Sequence, residues 1–402
     1  MEVDKNLTSR TENLETKYSS ADSDSKSSWH QLLIIGNGFD LECGLNSSWK
    51  GFFLERRNKL DNLAFPSSEE ELNKWKELCV NAGLTLWDIK LAQGSEENWY
   101  NIEGRLLELL LSYWKWLPHS ELDSELDDIY RSKSLQPTNQ RYYQLICYLA
   151  CFLSHDECTN TELLKFLRSE LTKLEHAFSV HLQKHLLHAD RNQPEGYMET
   201  ASRNLQALLC HPPRPTDPHA KSYSVLSFNY TGPFELHTDE IEICTAYINI
   251  HGRCHEDNEI IFGIDGKENL ENEITRPFTK TYRLLGLGGP QAHDVVSANT
   301  RCIKFYGHSL SDADYSYFQA IFDAVHLYSS DVSLIFFYRS FDERDPLIHR
   351  REMMDKVINL LTAYGTTLEN RDHGKNLIHK LLLEGRLKVQ EINFPTQSDI
   401  VD

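Results

Sequence analysis

The chain has 402 residues, 40% of them apolar, enough to bury a substantial core in one large or two medium domains without staples. A formal net charge of −19 argues against a broad electrostatic footprint on DNA or RNA, since such binding draws its affinity from Lys and Arg neutralising phosphates. Nine cysteines, at 43, 79, 147, 151, 158, 210, 244, 254 and 302, form no CxxC pair and are odd in number, so neither a disulfide framework nor a zinc ribbon is indicated and reduced thiols in the cytoplasm are expected.

Residues 1–29 are rich in Ser, Thr, Asp, Glu and Lys and read as a solvated tail, not a signal peptide. The first folded element is the apolar run Leu32-Leu33-Ile34-Ile35, which breaks into Gly36-Asn37-Gly38-Phe39-Asp40. A buried parallel strand has this composition, and glycines beside a carboxylate let backbone amides approach a nucleotide that any Cβ would exclude. The dinucleotide fingerprint is incomplete, however: position 41 is leucine and the next glycine is Gly44.

From 47 to 210 the apolar spacing is almost wholly helical. Ser47 or Ser48 can cap a helix running to about 60, and further helices are expected near 68–82, 96–116, 138–154 and 159–188. In the helix at 96–116, Trp99, Ile102, Leu106, Leu110 and Tyr113 form a stripe that also contains Glu103. In the last, Leu164, Leu167, Leu171, Phe178 and Leu182 share a face with Glu175. A carboxylate facing a core is costly unless paired, so the two glutamates either meet in a polar site or are held by arginines and backbone amides.

After His211-Pro212-Pro213-Arg214-Pro215 come short apolar runs at Tyr223–Phe228, Ala246–Ile250, Ile260–Phe262, Cys302–Tyr306 and Val332–Tyr338, with helical patterns at 312–326 and 348–364. None of the apolar runs is long enough to cross a bilayer, so no membrane partner is expected. Strands alternating with helices define an α/β fold with a parallel sheet, whose ligands lie beyond the carboxyl ends of the strands. The organisation read from the sequence is a tail (1–29), an α/β domain built from 30–62 and 211–395, and a helical insertion over 63–210.

Three strand ends carry chemically useful residues. Asn229, after Tyr223–Phe228, can bond a ribose hydroxyl or orient water, or simply cap a helix. His251, followed by Gly252, can exchange a proton near neutral pH or hydrogen-bond a backbone carbonyl. Gly307-His308-Ser309 leads into a helix for which Ser311 is the expected N-cap and Asp314 the partner in a capping box, and its turn is read as a ligand loop. His251, Cys254 and His255 match no zinc spacing, and no metal is predicted.

The ordered blocks IIGNGFDLECGL, NWYNIEGRL, LSFNYTGPFE, INIHG, IIFGID and YGHSLSDADYSYF resemble the AbiH family of bacterial abortive-infection proteins over roughly residues 32–320. That family in turn resembles SIR2-like proteins, which implies a Rossmann-like fold that binds NAD. Carried onto this chain, the resemblance implies that Gly36, Asn37, Gly38 and Asp40 lie at the dinucleotide. Asn229 would contact the ribose and the attacking water, His251 would act as base, and Thr231, Gly307, His308 and Ser309 would complete the binding site. SIR2-like proteins carry Asn-X-Asp where this chain has Asn229-Tyr230-Thr231, so a carboxylate from Asp40 or Asp265 would have to substitute. The implied function is a cytoplasmic antiphage effector that cleaves the nicotinamide–ribose bond of NAD, alone as a homo-oligomer or with a defence-complex partner. A non-catalytic NAD or ADP-ribose sensor or scaffold is the alternative.

Overall fold

A computed structural model of the chain describes residues 29–63, 69–92, 102–112, 160–192, 196–213, 220–232, 243–254, 260–286, 295–340, 345 and 347–395. The helix expected at 138–154, the stripe residues Trp99 and Tyr113, His255 and most of the N-terminal tail lie outside the described residues.

Six strands, β1 (His30–Ile35), β2 (Ser222–Ser227), β3 (Ile243–Asn249), β4 (Thr300–Tyr306), β5 (Ser333–Tyr338) and β6 (Leu387–Glu391), form one parallel sheet in the order 3-2-1-4-5-6. This is the doubly wound, Rossmann-like order, with its switch point between β1 and β4. The central strands are buried on both faces, which is why β1 and β5 read as continuous apolar runs instead of alternating ones. Register brings Ile35 beside Ser227 on one side and Tyr306 on the other, so the ends of β1, β2 and β4 finish level.

A large helical stretch follows the first strand: α1 (Asn37–Glu42), α2 (Trp49–Asp61), α3 (Glu69–Asn81), α4 (Leu86–Leu91), α5 (Ile102–Ser112), α6 (Asn160–Asn192) and α7 (Gly196–Leu209). The face of the sheet bearing Leu33, Ile35, Val225 and Ile335 packs on Phe39 of α1 and on Tyr197, Ala201, Leu205 and Leu208 of α7. Its other face, with Leu32, Ile34, Phe305 and Phe336, is covered by α9 (Tyr315–Ala324), α10 (Ile348–Gly365) and α11 (Arg371–Leu383). A separate apolar cluster unites α2 to α6 and is completed by Phe262 and by Phe278, which precedes the short helix α8 (Lys280–Gly286).

Buried charges anchor these layers. Lys304 of β4 is fully buried and donates to the carbonyls of Leu208 (2.9 Å) and Leu209 (2.7 Å), satisfying the buried C-terminal end of α7 with a cation. Arg386, just before β6, donates to the carbonyls of Leu327 and Val332, both at 3.0 Å.

The structure departs from the sequence expectations at several places. Ile260–Phe262 is not a strand: the Ile261 amide bonds the His251 carbonyl (2.9 Å), the Phe262 amide bonds Glu175 (2.7 Å), and the apolar side chains join the helical cluster. Helix α11 and edge strand β6 were not anticipated, because β6 is half-exposed and alternates polar with apolar residues. Trp29, placed in the tail, is buried against the α7 face and its carbonyl accepts a bond from the Lys221 amide (3.1 Å), so this residue is part of the fold. The capping box does not form. Residues Asp312–Asp314 make a 3-10 turn ahead of α9, and the Asp314 carboxylate faces Lys280 and His308.

Candidate active site

A cavity of about 1250 Å³ opens at the carboxyl ends of the strands, over the switch point between β1 and β4. Its walls include Gly36, Asn37, Gly38 and Asp40 after β1, Asn229 and Thr231 after β2, His251 after β3, and Gly307, His308 and Ser309 after β4. Glu103 reaches the same space from α5. Segments separated by more than 200 residues therefore converge on one hollow because the parallel sheet ends them all at one rim.

The glycines serve a different purpose from the one their sequence suggested. A Cβ on Gly36 would lie 2.6 Å from the His308 Cα, and one on Gly38 would lie 2.7 Å from the Gly307 Cα. Gly307 adopts φ 72°, a conformation that favours glycine. The Gly36 amide donates to the Tyr306 carbonyl (3.1 Å) and the Gly38 amide to the Gly307 carbonyl (2.8 Å). These two amides are committed to the protein and are not aimed at a ligand. What the glycines permit is backbone-to-backbone packing of the β1 turn on the β4 turn, which forms the cavity floor.

Asp40 is buried and accepts hydrogen bonds from the Tyr197 hydroxyl (2.8 Å), the Asn229 amide (3.1 Å) and the Thr231 hydroxyl. Burial pushes its carboxyl up to about 6, although the bonds from Thr231, Tyr197 and Asn229 pull the other way. The Asn229 amide nitrogen also donates to the Gly36 carbonyl (3.0 Å). With both amide hydrogens given to acceptors, the side chain has its carbonyl oxygen left to receive a ligand hydroxyl. Asn249, at the end of β3, fixes this loop by donating to the carbonyls of Asn229 and Thr231, both at 2.8 Å. Asp40 thus sits against Asn229 and Thr231, where the missing carboxylate was sought. Asp265, the other candidate, instead accepts from Ser316 (2.8 Å) and the Lys267 amide (2.8 Å) and does not line the cavity.

Beyond Asn229 lies a cluster of charge. Asp314 accepts from Lys280 (2.7 Å) through Oδ1 and lies 3.3 Å from the His308 Nε2 through Oδ2. The Leu310 amide donates to the His308 Nδ1 (2.9 Å), which leaves the proton of that ring on Nε2, facing Asp314. Leu310 holds φ 55° to make this bond. Lys280 also pairs with Glu103. His251 Nε2 is 3.7 Å from Asp314 Oδ1, and it is buried without a hydrogen-bond partner among the described residues.

These contacts divide the cluster's protons. Burial alone would raise Asp314, but Lys280 and the two histidines override it and hold the carboxyl well below the usual range. Glu103 is pushed up to about 7 by burial, against the pull of Lys280 and with repulsion from Asp314. Lys280 is raised, since its two carboxylates outweigh burial. Burial and the nearby Lys280 push His251 down to about 3 despite Asp314, so its ring is neutral around pH 7 and is a weak proton acceptor.

Glu175 does not line the cavity. It is clamped by both terminal nitrogens of Arg283, one at 2.7 Å, and by the Phe262 amide at 2.7 Å. Lys280 and Tyr197 had no sequence signal, and Asn249 lay inside the INIHG block without being given a role. Asp314 lay inside a quoted block but read only as a helix cap.

Fold and site together define a Rossmann-like α/β protein with a polar, partly charged cavity at its switch point. The family model described as bacteriophage abortive infection AbiH matches residues 32–338, and the chain belongs to that family. Membership supports a role in abortive infection by bacteriophage. No curated protein matches the chain. Among the described residues, no helix is long and apolar enough to cross a membrane.

Proposed function

We propose that the cavity binds NAD and hydrolyses its nicotinamide–ribose bond, as the effector step of abortive infection. The observation that carries this reading is the convergence of the β1 turn, Asn229 and His251 on one cavity of about 1250 Å³, room for a dinucleotide by comparison with ordinary small-molecule pockets. The Rossmann-like strand order supports it, because such sheets take nucleotides at the switch point.

Hydrolysis joins NAD and water to give nicotinamide, ADP-ribose and a proton. The C1′–N bond breaks with its electron pair passing to nicotinamide, which leaves uncharged, and water adds to the electron-poor ribose. Asn229 would orient a ribose hydroxyl through its carbonyl oxygen, with Asp40 holding the amide. His251, neutral and with Nε2 unpartnered, would hydrogen-bond a ribose hydroxyl or the attacking water. Such positioning by preorganised groups accounts for much of enzymatic rate enhancement.

Incubating the purified protein with NAD and separating the products by chromatography tests this. Release of nicotinamide and ADP-ribose, lost in His251→Ala and Asn229→Ala proteins that keep their far-UV spectrum, is the expected result. The second reading, a nucleotide sensor or scaffold without chemistry, is favoured by the committed Gly36 and Gly38 amides and by the three protein donors on Asp40. Saturable NAD binding with no product in the presence of phage would select it.

A further inference from the structure

Resting on NAD hydrolysis as the reaction, we infer that Glu103, supplied by the helical stretch, is the base that takes the proton from the attacking water. Two carboxylates, Glu103 and Asp314, share the single ammonium of Lys280. The contest between them is unequal. Asp314 also faces the His308 Nε2–H, held in that tautomer by the Leu310 amide, so Asp314 stays ionised. Glu103 has Lys280 as its charged partner and is the member of the pair left to exchange a proton. Both carboxylates line the cavity, but the Glu103 side chain is 26% exposed against 12% for Asp314, so Glu103 is the more open of the two to water.

The groups facing Glu103 from the surrounding elements are Lys280 of α8, Asp314 and His308 after β4, His251 after β3, and Asp265. The phenols of Tyr230 and Tyr317 face it too, and burial raises both, so they stay protonated at neutral pH. The lysine is a positioning residue: it fixes the glutamate and remains charged throughout. His251 is too weakly basic at neutral pH to perform the transfer.

As the C1′–N bond breaks and nicotinamide departs with the electron pair, the water oxygen bonds C1′ and one water proton passes to Glu103. That proton then leaves to solvent. The helices after the first strand are thereby part of the reaction centre and not an appendage to it.

The test compares wild type, Glu103→Gln and Glu103→Ala for NAD hydrolysis, with NAD binding measured by calorimetry and with formate added to the alanine protein. We expect Glu103→Gln to lower kcat by about 100-fold or more with binding unchanged, the usual size of a general-base contribution. Formate should restore turnover to Glu103→Ala by occupying the vacated carboxylate position, which a merely structural role would not allow. Retained activity in Glu103→Gln, or loss in Glu103→Ala that formate does not repair, overturns the assignment. A wild-type protein that releases no nicotinamide refutes the underlying reaction itself.

Discussion

Glu103 and Glu175 occupy equivalent places in the sequence, each a carboxylate on the apolar stripe of a helix after the first strand, and the fold uses them in opposite ways. Glu175 on α6 is sealed from solvent and saturated, with two bonds from Arg283 and one from a backbone amide. Glu103 on α5 shares Lys280 with a second carboxylate and opens onto the cavity. Burial of a charge on a helix face therefore does not identify a site. The number of donors each carboxylate has to itself separates the two.

Three measurements can break or sharpen this contrast. The largest effect belongs to Glu175→Ala, which leaves the Arg283 guanidinium buried without its carboxylate. Breaking such a pair costs about 3–5 kcal/mol, readable as a lower urea midpoint, and a loss below about 1 kcal/mol would contradict the structural role.

Next comes the pH dependence of stability. The folded-state pKa of Glu103, about 7, lies above its unfolded value near 4.5, so the folded protein binds that proton more tightly. Ionising it penalises the folded state progressively as pH rises from 4.5 to about 7. Wild type should lose about 3 kcal/mol relative to Glu103→Gln across this window. A difference that does not change with pH would show that Glu103 is an ordinary paired carboxylate.

The smallest effect is expected below pH 4.5, where both proteins carry a neutral group at position 103. There Glu103→Gln should match wild type within about 0.5 kcal/mol in urea unfolding, because a protonated carboxyl and a carboxamide have the same shape and charge.

Much of this architecture was legible in the chain. Runs such as Leu32–Ile35 and Val332–Tyr338 have few alternatives to buried parallel strands, and polar residues just beyond such strands must gather at one rim once the strands pair in parallel. Asn229, His251 and the two glycine turns were found for that reason. Lys280 and Asn249 escaped because their roles arise from packing between separate segments: Lys280 sits in no pattern with a local meaning, and Asn249, although inside the INIHG block, bonds the loop after a different strand. The glycines stand out in the sequence, but it cannot show that the backbone approach that excludes a Cβ is that of Gly307 and His308. Ile260–Phe262 has a strand's composition, yet its backbone is satisfied by Glu175 and His251, which no local pattern reveals.

NAD is proposed to occupy the hollow between the β1 turn and His251. A crystal structure of the His251→Ala protein grown with NAD tests it most directly. The dinucleotide is expected over the β1 and β4 turns, with a ribose hydroxyl on the Asn229 carbonyl oxygen and the nicotinamide ribose facing Glu103. NAD bound elsewhere, or a cavity that stays empty at saturating NAD, would contradict it.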